Sequence, residues 1–187
     1  GAAIGRECRA HGVAVVLGPG VNIKRSPLCG RNFEYYSEDP LLAGKLAAGF
    51  IRGAEGEGVG TSLKHFAVNN QETLRMSVSA EVDERALHEL YLRPFEIAVK
   101  EGAPSTVMCS YNRINGVYAS ENRMLLTRIL REQWGFDGLV MSDWGAVYRR
   151  PAGVAAGLDL EMPSSGGVTD REIVRAVRAG RLDEAAL

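Results

Sequence analysis

Two rhythms of apolar residues alternate along this chain, short runs and stripes at helical spacing. The runs Val13–Leu17, Ser105–Tyr111 and Gly138–Trp144 are largely apolar and bounded by glycine or proline, the pattern of strands covered on both faces. Thr61–Phe66 and Gly157–Met162 predict two more strands, each carrying polar residues at its end. The helical stripes fall between these runs. Residues 1 to 11 read as the tail of a helix, with Ile4 and Cys8 on one face and Gly12 as its stop. Ser37 to Pro40 supplies a cap and an N1 proline for a helix over Leu41–Ala54, whose apolar stripe is Leu42, Leu46 and Phe50. Asp83 starts the clearest helix, with Leu87, Leu90, Tyr91 and Phe95 in helical step as far as Lys100. Leu125–Trp134, a stretch near 146–156 and Asp170–Ala179 complete the set, with Gly135 and Gly180 as stops.

Strict alternation of strand and helix implies a parallel sheet with right-handed crossovers. An open doubly wound sheet and a (β/α)8 barrel both meet that requirement. The segment after the first strand, GPGVNIKR, lacks the third glycine of a dinucleotide fingerprint and opens a long loop instead of a helix. Polar residues also close every strand, which suits strand ends converging on one ring. The expected fold is therefore α/β, a partial (β/α)8 TIM-type barrel, since the five predicted strands are too few to close one. Residues 20–40 form a long loop that nevertheless holds Arg25, Arg31, Phe33, Tyr35 and Tyr36, a make-up typical of functional loops.

Composition narrows the partners more than the fold. The 187 residues, 45% hydrophobic, suffice for one domain with a real core. Lys and Arg balance Asp and Glu to a net charge of −1, so no long-range field draws in nucleic acid or an anionic membrane. No run of about 18 apolar residues marks a membrane span, and the N-terminus has no charged-then-apolar leader. Cys8, Cys29 and Cys109 are scattered and form no CxxC pair, which favours buried thiols and leans towards a reducing, cytoplasmic compartment. Gly1 falls inside an apparent helix, so the true N-terminus and any targeting signal are expected upstream of it.

The predicted strand ends carry the candidate chemistry: Arg25 and Arg31 after the first, Lys64 and His65 in the second, Tyr111 and Asn112 after the third, Asp143 and Trp144 in the fourth, Asp159 and Glu161 in the fifth. Each has a plainer alternative. Asp143 alone suits a helix N-cap, a strand-end histidine is commonly a hydrogen-bonded structural group, and Arg31 can pair locally with Glu34 or Glu38. Asp159 and Glu161 point the same way on a strand, so one can serve only to anchor a backbone N–H. Lys64 and His65 are neighbours, and both reach one cleft only if the backbone departs from strand geometry between them. Three histidines without metal-ligand spacing give no metal site, no phosphate loop is present, and no cofactor is implied. Acetal cleavage fits best: Asp143 supplies a carboxylate for an oxocarbenium-like centre, Arg31, Lys64 and His65 supply donors for sugar hydroxyls, and Trp144 supplies a flat apolar wall.

Six segments strengthen that reading: LGPGVNIKRSPLCGRNFEYYSEDP (Leu17–Pro40), KHFAVNNQE (Lys64–Glu72), DERALHELYLRPFE (Asp83–Glu96), MCSYNRINGVYAS (Met108–Ser120), WGFDGLVMSDWGAV (Trp134–Val147) and AGLDLEMP (Ala156–Pro163). In this order they resemble the N-terminal domain of family 3 glycoside hydrolases, over nearly the whole chain. The NNQE continuation resembles the β-glucosidase and β-xylosidase branch, whereas Ala67 and Val68 do not fit the histidine-bearing loop of the N-acetylglucosaminidase branch. The resemblance implies a retaining exo-β-glycosidase acting on terminal β-D-glucosyl or similar residues of a small glycoside or oligosaccharide. It puts the nucleophile on Asp143, sugar ligands on Arg31, Lys64 and His65, Tyr111 against the nucleophile, and Met108 and Trp144 along the sugar subsite. It also implies that residues 1–187 are one incomplete domain, with the family's first barrel strand before Gly1 and the acid/base Glu on a C-terminal domain beyond Leu187. Two other readings stay open at this point, a Schiff-base lyase using Lys64 and a non-catalytic sugar-binding domain.

Overall fold

The computed structural model describes residues 1–187. In chain order it comprises α1 (Ala2–Ala10), β1 (Val15–Val16), α2 (Pro40–Glu55), β2 (Gly60–Phe66) and β3 (Ser79–Ala80). Then follow α3 (Glu84–Ala86), a π-helical turn (Leu87–Tyr91), α4 (Arg93–Gly102), β4 (Thr106–Cys109), and the pair β5 (Arg113–Ile114) and β6 (Val117–Tyr118). A π-wound helix (Met124–Gln133), β7 (Leu139–Ser142), α5 (Arg150–Ala156) and α6 (Val168–Arg178) complete it.

The main sheet has four parallel strands in the order β1-β2-β4-β7. Each strand joins on the same side of the one before, so the chain winds in one direction with no reversal of strand order. That is the winding of a (β/α)8 barrel rather than of a doubly wound sheet, and four strands leave it open. A second, three-stranded sheet of β3, β5 and β6 lies over one end of the barrel wall. Its β5–β6 hairpin turns through Asn115 and Gly116 at φ 48° and 87°, the left-handed conformations a two-residue turn requires.

The core lies between one face of the sheet and the helices. Leu63, Phe66, Val107, Cys109 and Val140 project from the strands to meet Ile51, Phe95, Leu126 and Leu130. The Phe66 ring packs at 5.2 Å from Phe95 and 5.7 Å from Trp134. Strand alternation sends Met108 and Met141, which pair in register, to the opposite face and into the barrel interior.

Three elements differ from the sequence expectation. The predicted fifth strand over Gly157–Met162 is reduced to one parallel bridge, Leu160 with Met141, held where Leu160 N donates to the Val140 carbonyl and Ser142 N to the Leu160 carbonyl. In α2 two of the three expected stripe residues are turned outward: Leu42 is 49% and Leu46 46% exposed and Phe50 is half-buried, while Ala43, Gly44, Ala47, Ala48 and Ile51 are buried. The small-residue face wins because it lets the α2 backbone approach α4, where a Cβ on Gly44 would stand 2.8 Å from the Ile97 Cβ. In the helix begun by Asp83, whose side chain caps Ala86 N, Leu92 donates to the Leu87 carbonyl in a π turn. Pro94, which has no N–H to continue the ladder, follows, and the added residue puts Leu92 and Phe95 in the core and leaves Leu90 at the surface.

Candidate active site

The C-terminal ends of β2, β4 and β7 meet, and the groups carried there define a single polar cluster. Asp143, directly after β7, is 7% exposed, and its backbone N–H donates to the Cys109 carbonyl at the end of β4 at 3.1 Å. Its Oδ1 accepts from Trp144 N at 2.7 Å. Its Oδ2 is buried with no hydrogen-bond partner and stands 3.6 Å from His65 Nε2. The next helix begins only at Arg150, so Asp143 is not its N-cap.

The Lys64–His65 and Phe66–Ala67 peptides are cis, and the β2–β4 register shifts between Leu63 and Phe66. Both Lys64 and His65 belong to the cluster. Lys64 Nζ lies 3.2 Å from Glu34 Oε2, while the other oxygen of Glu34 accepts from Arg31 Nε. Glu34 therefore bridges the two cations. Burial opposes the Arg31 charge, but the Glu34 hydrogen bond, with Tyr35, Glu34 and Asp143 charges behind it, raises the guanidinium pKa. The Arg31–Glu34 pair is local, and Arg31 still feels the Asp143 carboxylate. His65 is 1% exposed, and burial, reinforced by the charges of Arg31, Lys64 and Arg75, holds its pKa well below the ordinary histidine value. Its ring is neutral and is a hydrogen-bonding group rather than a cation.

Tyr111 donates its hydroxyl proton to the Trp144 carbonyl at 3.1 Å and carries the Arg75 guanidinium 4.4 Å from its ring centroid. Burial first, and then the Asp143 charge, push its pKa up to about 12. Trp144 is 57% exposed at the rim, whereas Met108 is 4% exposed and buried in the barrel interior.

Three strand-end candidates lie elsewhere or do other work. Asp159 turns away from the cluster and clamps the start of β7, its Oδ2 accepting from Val140 N at 2.6 Å and from Arg131 at 2.7 Å. Glu161 accepts from the Thr169 hydroxyl and faces Arg150, bracing the segment that leads into α6. Arg25 lines a cavity of about 530 Å³ with Asn70, Gln71 and Val78, apart from Asp143. Conversely, nothing in the sequence singles out Arg75 or marks Glu34 as more than a local partner of Arg31. Each becomes visible only through its contact with another segment, Glu34 with Lys64 and Arg75 over the Tyr111 ring. No group of three or more His, Cys, Asp or Glu side chains is spaced to hold a metal ion.

The strand ends thus hold a carboxylate with one oxygen tethered and the other unpartnered, among an Arg, a Lys and a neutral His. The family model described as "Glycosyl hydrolase family 3 N terminal domain" matches residues 1–187. The chain belongs to glycosyl hydrolase family 3. Among family 3 relatives, thermostable β-glucosidase B of Acetivibrio thermocellus is 60% identical over 184 residues, 98% of this chain and 24% of that protein. The exo-α-(1→6)-L-arabinopyranosidase of Bifidobacterium longum is 59% identical over 187 residues, 100% of this chain and 24% of that protein. The crystal structure of the Bifidobacterium adolescentis family 3 β-glucosidase matches with a TM-score of 0.95 at 58% identity, covering 99% of this chain and 27% of that one. β-Glucosidase 3B of Thermotoga neapolitana, solved with α-D-glucose, matches with a TM-score of 0.96 at 50% identity, covering 99% of this chain and 27% of that one. The chain thus spans about a quarter of the length of these family 3 relatives. None of its helices is long and apolar enough to cross a membrane.

Proposed function

We propose that residues 1–187 form the nucleophile-bearing N-terminal domain of a retaining exo-β-glycosidase of the β-glucosidase type, acting on terminal β-D-glucosyl or similar residues. The observation that carries this is Asp143: a buried carboxylate whose Oδ1 is tethered by Trp144 N while its Oδ2 has no partner. A nucleophile needs such an arrangement, an orientation fixed through one oxygen and lone pairs left free on the other. In the reaction, Oδ2 attacks the anomeric carbon as the bond to the leaving oxygen breaks. The departing oxygen takes a proton from an acid, for which we assign a Glu on a C-terminal domain of the longer enzyme. Water, deprotonated by that same Glu, then releases the sugar with configuration retained. Arg31 and Lys64, locked by Glu34, and the neutral His65 bind the sugar hydroxyls, and Met108, Tyr111 and Trp144 wall the subsite. The relatives' names and the glucose bound to the Thermotoga protein support a sugar of this size.

The chemistry can be tested without the acid. From a dinitrophenyl 2-deoxy-2-fluoro-β-D-glucoside the dinitrophenolate departs unprotonated, leaving the 2-fluoroglucosyl ester trapped on the enzyme. Peptide mapping should find the label on Asp143, and Asp143→Gly should prevent it. A label on any other residue refutes the assignment. Without the acid, aryl glucosides with poor leaving groups should turn over about 10²- to 10⁴-fold more slowly than in the whole enzyme.

A further inference from the structure

A chain of hydrogen bonds runs behind the cluster and ends on His65. The Tyr35 hydroxyl, on a side chain 3% exposed, lies 3.1 Å from His65 Nδ1. The Asn69 amide nitrogen donates to that same hydroxyl at 3.4 Å. The Asp143 carboxylate that faces Nε2 offers only lone pairs, which favours the ring proton on Nε2 and leaves Nδ1 to accept the Tyr35 hydroxyl proton. Nδ1 is then the acceptor, and the neutral ring carries its own proton on Nε2, the nitrogen that faces Asp143 Oδ2 at 3.6 Å. Asn22 fixes the backbone beneath, its Oδ1 accepting from His65 N at 2.9 Å and its Nδ2 donating to the His65 carbonyl at 3.0 Å.

We propose that Tyr35, backed by Asn69, is a positioning residue that sets His65 in its Nε2–H tautomer, so that the ring presents a donor to a sugar hydroxyl beside Asp143. The use of that donor rests on the glycosidase reading, whereas the tautomer does not. Burial raises the Tyr35 pKa above the ordinary phenol value, so the hydroxyl keeps its proton. His65 is held neutral, which makes the choice between its two nitrogens decisive. The opposite tautomer would turn a bare Nε2 lone pair towards the unpartnered Asp143 Oδ2, setting acceptor against acceptor.

The test uses the longer enzyme that carries this chain, labelled with ¹⁵N-histidine, and long-range ¹H–¹⁵N correlation spectra in which His65 is identified by its loss in His65→Gln. The expected spectrum has Nε2 protonated and Nδ1 bare. Tyr35→Phe should mix or invert that pattern and lower kcat/KM about tenfold, the effect of one hydrogen bond. In the His65→Gln background the same change should alter kcat/KM by less than about twofold, because Tyr35 acts through His65. A protonated Nδ1 in the unmutated protein overturns the inference by itself, even if Tyr35→Phe does not fold. So does a tenfold loss that persists in the His65→Gln background. The fluoroglucoside label reports separately on the function: labelled Asp143 with a protonated Nδ1 keeps the glycosidase and removes the role of Tyr35.

Discussion

Replacing Glu34 by glutamine keeps its shape and removes the charge that joins Arg31 to Lys64. At 3.2 Å and an effective dielectric of about 20, the Lys64–Glu34 attraction alone amounts to about 5 kcal/mol before desolvation is counted. The three side chains are only 15% to 21% exposed, so desolvation offsets a large part of that gain. The glutamine amide accepts from one cation while leaving the other unpaired beside it. A net destabilisation of about 2 kcal/mol follows, or about 4–8 °C in Tm for a domain of this size. The pH dependence carries the stronger test. Burial works to raise the Glu34 pKa, but the Arg31 hydrogen bond and the charges of Lys64 and Arg31 outweigh it and hold the carboxyl below its ordinary range. A depressed folded-state pKa contributes stability above the unfolded carboxylate value, and that stability is lost as pH falls through the folded value. Scanning calorimetry of both proteins should therefore show the full gap at neutral pH and a closing gap in acid. An equal gap at both pH values, or none at neutral pH, would mean that Glu34 does not bridge the cations.

Two further substitutions test the packing of α2. Gly44→Val should destabilise by about 1–3 kcal/mol in denaturant unfolding, since its Cβ would meet the Ile97 Cβ at 2.8 Å and α2 would be pushed off α4. Leu42→Gln, on a side chain 49% exposed, should stay within about 0.5 kcal/mol of the parent, whereas Ile51→Ala on the opposite face should lose about 2–5 kcal/mol. Equal losses at Leu42 and Ile51 would restore the leucine stripe as the buried face.

Much of this fold could be read from the chain because its signals are local. Gly, Pro and cap residues punctuate each element, Asp83 caps its helix, and apolar runs such as Leu139–Val140–Met141 form a strand wherever two faces are to be covered. Asp143, Arg31, Lys64, His65 and Tyr111 were legible for a related reason: strand ends in a parallel α/β fold converge whatever their separation in sequence. What required the tertiary structure was every choice made by a neighbour. α2 buries alanines and glycine rather than leucines because α4 comes close. Leu92 displaces Leu90 because Pro94 interrupts the ladder, and the 157–162 segment meets β7 only at the Leu160–Met141 bridge. The supporting groups Glu34, Tyr35, Asn69 and Arg75 belong to the same class. The sequence determined which residues carry charge, protons and apolar surface and the order of the elements, since these follow from each segment alone. Only the tertiary structure decided which loop meets which, because a hydrogen bond or an ion pair depends on distances of a few ångströms that no one segment contains.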